Sequence, residues 1–449
     1  MLRRKVLSKL FSWKTEHKNK CLVISGPRQV GKTYIVRRLG ETYSSYIELN
    51  FIEKPELSLI FKDSLRADDI FTGIKLNFPD KQIIPGETLI LLDEIQECAN
   101  AITALKLLAN DNKADVIATG SLLGLRYKGN SSYPVGSVDY LDMYSLDFEE
   151  FLWAMGIDDE IIALLKNHYA EKKMVPHAIH KKMMNYLKQY MVLGGMPEVI
   201  NTFLDKKDYH AADSVQRSIY RDYIADIARY AEPNIKIKAE KCYKSIPLQL
   251  SKDNHKFQYS VVEHKGNAKK FETSLDWIIN ANMVAPVLNV NKTEYPLAAF
   301  ALDDNIRLYN TDIGLLICTY DFSLKKALLE DDDFYDNALS NPILKVAKGG
   351  IYEALIAEML VKAGCSDIFF YRNNPGTVEI EFLLDKSDGV LPIEVKAGHN
   401  RTKSLDSILK CDSIPYGIKF ADQNVGISGK KITMPLYMAI FLTDSVDDR

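Results

Sequence analysis

The run Cys21-Leu-Val-Ile-Ser-Gly-Pro-Arg-Gln-Val-Gly-Lys-Thr33 constrains this chain more than any other stretch, because an apolar strand passes directly into Gly26-x4-Gly31-Lys32-Thr33. Glycine at both ends lets the backbone close around an anion, and the helix that follows offers its positive N-terminal end to the same charge. The pattern predicts a phosphate-binding loop of Gly26, Pro27, Arg28, Gln29, Val30, Gly31, Lys32, Thr33 and Tyr34. In such a loop Lys32 reaches the β- and γ-phosphates of a nucleoside triphosphate, and the Thr33 hydroxyl ligates Mg²⁺.

Further along, Glu87-Thr-Leu-Ile-Leu-Leu-Asp93-Glu94-Ile-Gln96 places a second apolar strand, Leu89 to Leu92, in front of two adjacent carboxylates. Asp93 is then expected to hold Mg²⁺ through its water shell, and Glu94 to deprotonate the attacking water as a general base. A third strand, Ala114 to Ser121, follows a helical stretch from Ala101 to Leu108 and ends in hydroxyl residues. Strand C-termini of a parallel sheet face the ligand, so Thr119 or Ser121 is expected near the γ-phosphate. Thr-Gly-Ser is also an ordinary turn sequence.

At 449 residues the chain is too long for one core, and its length predicts about two to four domains. A net charge of -3 excludes a generally basic nucleic-acid coat, though not a local basic face. The six cysteines are scattered, with no C-x-x-C pair, which argues against structural zinc and fits a reducing, cytoplasmic compartment. The basic N-terminus, Met1 to Trp13, reads as an amphipathic helix and not as a signal peptide. No run of eighteen apolar residues occurs, so no membrane span is expected.

A Gly/Ser/Pro-containing loop is expected from Arg126 to Tyr140, and Asp147 can cap the helix after it, with Glu149 and Glu150 in the first turn. Helical periodicity continues to Leu193 and stops at Gly194-Gly195, which predicts a helical lid. Between Asn234 and Phe271 nine lysines face only Glu240, Asp253 and Glu263. Short helices followed by the apolar segment Trp277 to Pro286 and a Lys/Thr turn suit a helix-turn-helix with a β-wing. A basic face there would neutralise duplex DNA phosphates, while lysine runs also occur as plain solvated surface.

The last segment holds a second constellation: Glu353 on a helix, Glu381 and Glu394 on neighbouring strands, and Lys396. Glu394 and Lys396 are two apart and share a face of their strand. Glu381 and Glu394 would converge on one divalent cation, with Lys396 stabilising a developing phosphorane charge. A sheet with alternating charges on its solvent face has the same pattern.

Taken together, the Gly26–Thr33 loop, Leu-Leu-Asp93-Glu94-Ile-Gln96, Thr119-Gly-Ser121, Leu146-Asp-Phe-Glu-Glu-Phe-Leu152 and Leu193-Gly-Gly-Met-Pro-Glu198 resemble the bacterial and archaeal AAA ATPases of the archaeal-ATPase type. Arg307 to Leu315, Gly350-Ile-Tyr-Glu353 and Pro392-Ile-Glu-Val-Lys396 resemble the domain of unknown function attached to them. The resemblance implies an α/β fold: a P-loop AAA-type parallel sheet at 1–155, a helical lid at 156–232, a winged-helix-like region at 233–312, and a domain similar to PD-(D/E)XK nucleases (restriction-endonuclease-like) at 313–449. It implies Lys32, Thr33, Asp93, Glu94 and Ser121 as ATPase residues and Glu353, Glu381, Glu394 and Lys396 as nuclease-like residues. The implied activity is ATP hydrolysis with Mg²⁺ coupled to DNA binding, in a protein able to oligomerise. The alternatives are an ATP-regulated metal-dependent nuclease and an ATP-gated DNA switch with an inactive nuclease fold. Two positions depart from the family: Glu381 stands where Asp is usual, and Val-Gly-Ser-Val-Asp-Tyr140 stands where many relatives carry Gly-Arg, leaving Arg126 and Arg221 as candidate arginine fingers.

Overall fold

The computed structural model describes residues 2–16, 19–120, 136–252, 255–330, 342–365, 367–373, 376–397 and 402–442. The chain divides into two compact units, one of Arg3–Ser145 with Asn280–Asn282, the other of Met1–Leu2, Leu146–Ile279 and Met283–Arg449.

The described part of the first unit holds five strands, β1 Cys21–Ser25, β2 Ser45–Asn50, β3 Thr88–Asp93, β4 Asp115–Gly120 and β5 Val138–Asp142, in the order β2-β3-β4-β1-β5. Every neighbouring pair is parallel. Helices α1 Val6–Glu16, α2 Lys32–Gly40, α3 Ala67–Asn77 and α4 Ala99–Asp111 belong to the same unit. β1 and β3 are buried at every residue, as an apolar run must be when helices cover both faces of a parallel sheet. Val23, Leu49, Leu92, Leu105 and Val116 lie in its core. The register sets Ser25 opposite Gly120 and Asn50 opposite Asp93, so the strand ends that carry polar residues come level. Part of the expected loop from Arg126 to Tyr140 is strand: Val138 pairs with Cys21 and opens β5. Its single apolar anchor gave no periodicity, and pairing with buried β1 supplies the order.

In the second unit, helices Phe148–Ala154, Asp159–Ala170, His177–Leu193, Pro197–Lys206 and Tyr209–Tyr230 come first. The first carries the expected cap, reinforced into a capping box: Glu150 N–H donates to Asp147 Oδ1 at 2.8 Å, and Asp147 N–H to Glu150 Oε2 at 3.2 Å. Because that helix groups with the second unit, the compact division falls at Leu146, inside the segment 1–155.

Helices Pro233–Leu250, Tyr259–Val262 and Ala268–Asn280 lead into an antiparallel pair, β6 Val284–Val290 and β7 Ala301–Asn310. The apolar segment Trp277 to Pro286 is thus split between a helix end and a strand. Strands β8 Phe369–Arg372, β9 Glu379–Lys386, β10 Gly389–Val395, β11 Gly417–Ala421, β12 Gly426–Ser428 and β13 Lys431–Pro435 complete an eight-stranded mixed sheet, ordered β12-β13-β11-β10-β9-β8-β6-β7. Parallel pairing of Leu288 with Phe369 joins the β6–β7 hairpin to the C-terminal strands, so one sheet crosses the boundary expected between 233–312 and 313–449. All six cysteines are free. Among the described residues no helix is long and apolar enough to cross a membrane.

Candidate functional site

The loop between β1 and α2 has the backbone its sequence demands. Gly26, Gln29 and Gly31 adopt φ of 146°, 63° and 95°, and a Cβ at Gly26 would lie 2.0 Å from the Met143 carbonyl oxygen. Only glycine fits there. Arg4 braces the loop, donating from Nη1 to the Val30 carbonyl at 2.9 Å and from Nη2 to that of Tyr144 at 2.7 Å. Pro27 and Val30 are buried, Arg28 half-buried, and Gln29 and Tyr34 exposed.

α2 opens at Lys32 with no side-chain cap, which leaves its first N–H groups for a bound anion. The buried Lys32 ammonium donates to the carbonyls of Gly26 at 2.9 Å and Pro27 at 2.8 Å, inside the curve of the loop. The Thr33 hydroxyl meets Asp93 Oδ1 at 3.1 Å and Oδ2 at 3.0 Å. Asp93, 3% exposed, also accepts from Asn50 Nδ2 at 3.0 Å and from the Thr119 hydroxyl. Burial raises its pKa, the Thr119 bond opposes that, and the neighbouring Glu94 charge adds to it. Glu94 sits at φ 54° on the turn after β3, and its Oε2 accepts from Gln96 Nε2.

The structure therefore brings Lys32, Thr33, Asp93, Glu94 and Thr119 to one end of the sheet. Ser121 and Arg126 lie outside the described residues. Arg221, the other candidate finger, is exposed on helix Tyr209–Tyr230 and donates to the Arg217 carbonyl at 3.2 Å. Sequence reasoning missed Arg4, Asn50 and Gln96. Asn50 was hidden because Ser-Tyr-Ile-Glu-Leu-Asn carries too few apolar residues to announce a strand. An uncapped helix end with a lysine beside it, and a hydroxyl paired with a carboxylate, suit a triphosphate and a hard cation that prefers oxygen ligands.

A second set of charges is buried in the other unit. Lys396 Nζ lies 2.6 Å from Glu381 Oε1 and 3.2 Å from Glu394 Oε1. Fully buried Arg307, on β7, pairs with Glu379 and stands 3.7 Å from Glu353 Oε2. Glu353 also takes His255 Nδ1 at 2.7 Å and the Tyr309 hydroxyl at 3.2 Å. Burial alone would raise the Glu353 pKa, but His255, Arg307 and Lys396 hold it below the usual carboxylate range. Burial pushes Glu381 up to about 7 against the pull of Lys396. Glu381 and Glu394, expected to converge on a divalent cation, each pair instead with the Lys396 ammonium. Among the described residues no group of three or more His, Cys, Asp or Glu side chains is arranged to hold a metal ion. Arg307 and Tyr309 lie in the run from Arg307 to Leu315 that carries the resemblance but were assigned no role, and His255 and Glu379 were not foreseen, since only the sheet assembles them.

On the same helix as Glu353, fully buried Glu358 accepts from the Ile313 N–H at 2.7 Å and the Tyr190 hydroxyl at 2.5 Å, and burial pushes it up to about 7 while Lys362 opposes. A carboxyl whose folded pKa exceeds its unfolded value contributes stability in acid, lost as pH rises through the folded pKa. Stability contributed by Glu358 and Glu381 is accordingly present below about 4.5 and gone above about 7. Urea midpoints at pH 5 and pH 8 should show a smaller acid advantage in Glu358→Gln than in the parent; equal differences would exclude a raised Glu358.

In the lysine-rich stretch Lys241 and Lys270 pair with Glu263, and Lys244 with Glu240. Lys252, Lys265 and Lys269 are exposed.

Residues 18–152 match a family model described as an AAA domain. The AAA-like segment thus covers all five parallel strands, the phosphate loop and the Asp93-Glu94 pair. Residues 184–326 and 348–438 match two domains of unknown function, DUF8612 and DUF4143. No curated protein matches the chain. Among solved structures, the Walker-type ATPase PABY2304 of Pyrococcus abyssi is similar at 12% identity and a TM-score of 0.41, over 71% of this chain and 95% of that one. The Aeropyrum pernix Orc1 protein, solved in complex with DNA, is similar at 11% identity and a TM-score of 0.28, over 74% of this chain and 94% of that one. Likeness this distant decides nothing further about the chain.

Proposed function

We propose that this protein is an AAA-type ATPase that hydrolyses ATP with Mg²⁺ and couples the nucleotide cycle to duplex DNA. The observation that carries the reading is the Thr33 hydroxyl held 3.0 Å from the Asp93 carboxylate, with Glu94 the next residue. In this reading the loop from Gly26 to Thr33 and the ammonium of Lys32 hold the phosphates, Thr33 and Asp93 hold the cation, and Glu94 takes the proton of the attacking water. When bound, Mg²⁺ supplies positive charge against that developing on the γ-phosphate. Ser121 keeps the proposed role of reporting the γ-phosphate. The test is Mg²⁺-dependent phosphate release by the purified full chain, and its absence would remove the reading.

The DNA part of the proposal rests on exposed Lys252, Lys265 and Lys269, beside helices that run into the β6–β7 hairpin as in a winged helix. A second reading, a metal-dependent nuclease regulated by ATP, draws on Glu381 and Glu394 lying 2.6 and 3.2 Å from the Lys396 ammonium, and treats the C-terminal strands as nuclease-like. One experiment addresses both. Plasmid DNA incubated with ATP and Mg²⁺ or Mn²⁺ in rising salt should be retained at low salt and released at high salt, as phosphate contacts require. Scission lost in Glu394→Ala would establish the nuclease; retention without scission would support a DNA-binding ATPase alone.

A further inference from the structure

We propose that Gln96 is a positioning residue for Glu94: its amide N–H holds one carboxylate oxygen, Oε2, so that the other, Oε1, is presented to the attacking water. The inference rests on the ATPase reading.

Glu94 turns the chain at φ 54° and ψ 44° into a single 3₁₀ turn, Ile95–Glu97, which brings the Gln96 side chain back beside its own. Gln96 is 1% exposed, and its Nε2 donates to Glu94 Oε2. Its other end is confined as well: a Cβ on Gly120, the last residue of β4, would lie 2.5 Å from Gln96 Oε1. The bare backbone of Gly120 makes the space in which the amide lies. One residue earlier on β4, Thr119 donates to Asp93. The end of β4 thus governs both carboxylates, Asp93 directly and Glu94 through Gln96.

An amide suits this task because it donates a hydrogen bond without carrying charge, so the carboxylate stays available as a base. A lysine or arginine there would hold it as firmly but neutralise it. With Oε2 occupied, the water proton passes to Oε1 as the water oxygen bonds the γ-phosphorus and the bond to the ADP oxygen breaks. A general base acts only within hydrogen-bond reach of the proton it removes, and misplacement by about 1 Å costs on the order of 100-fold.

The test compares steady-state ATP turnover and nucleotide affinity of the full chain with those of Gln96→Met, Gly120→Ala, Glu94→Gln and the double variant Gln96→Met/Glu94→Gln. Gln96→Met should lower kcat by about 10- to 100-fold with KM little changed, and Gly120→Ala should move kcat in the same direction by crowding the amide. The double variant should turn over no more slowly than Glu94→Gln, because Gln96 acts only through Glu94. Unchanged kcat in both single variants, a rise in KM alone, or a further loss in the double variant would overturn the proposal. If Gln96→Met does not fold, Gly120→Ala carries the same test from the other side of the contact. Turnover by Glu94→Gln equal to the parent's would instead strike the ATPase reading, and this inference with it.

Discussion

Glu94→Gln is expected to bind ATP as the parent does and to lose on the order of 10²- to 10⁴-fold in kcat, the range a positioned base contributes. The substitution keeps the size and one oxygen of the side chain, so the fold of the turn and its partner Gln96 survive, while the group proposed to accept the water proton is gone. Lys32→Ala should behave in the opposite way. Its ammonium is buried inside the loop and donates to the main-chain carbonyls of Gly26 and Pro27. Losing a charge-assisted bond to a phosphate weakens binding by about 10- to 100-fold. Fluorescent-nucleotide titration beside phosphate release separates the two. A Lys32→Ala protein with full affinity, or a Glu94→Gln protein with full turnover, would take that residue out of its role.

Arg307→Met is expected to destabilise the second unit by about 1–3 kcal/mol, because Glu353 and the partly exposed Glu379 each lose a charged partner. Arg307 is fully buried on β7, stacks over the Phe370 ring at 4.2 Å, and answers both Glu353 and Glu379. Methionine fills much of the same volume, so the loss reports charge more than a cavity. Arg307→Lys should recover only part of it, since an ammonium cannot reproduce the planar fork. Denaturant unfolding of the full chain reads the effect. A midpoint equal to the parent's would mean that Glu353 and Glu379 are satisfied without Arg307.

The phosphate loop was legible because its function is local. Glycines at positions 26 and 31, a strand before and a helix after act within one short run, and any fold that keeps the run keeps the cradle. Asp93 and Glu94 were legible for the related reason that a wholly apolar strand has to be buried and has to end somewhere. The cap at Asp147 and the stop at Gly194 are equally local. The strand β2 and the start of β5 escaped notice because edge strands of this sheet owe their order to a buried neighbour and carry little apolar signal of their own.

The C-terminal cluster shows the other side of the same principle. Glu381, Glu394 and Lys396 could be paired on paper, since alternation along strands sets which side chains share a face. That Arg307 would answer Glu353, that His255 would reach it from another segment, and that the β6–β7 hairpin would continue the C-terminal sheet depended on pairings such as Leu288 with Phe369. By itself the sequence determined the phosphate loop, the carboxylate pair after β3 and the helical caps, all interactions between near neighbours. Only the tertiary structure decided which distant groups neutralise one another and that Gln96 lies against Gly120 beside Glu94. Burial strengthens such contacts by removing water, and which residues are buried together is a property of the whole packed unit.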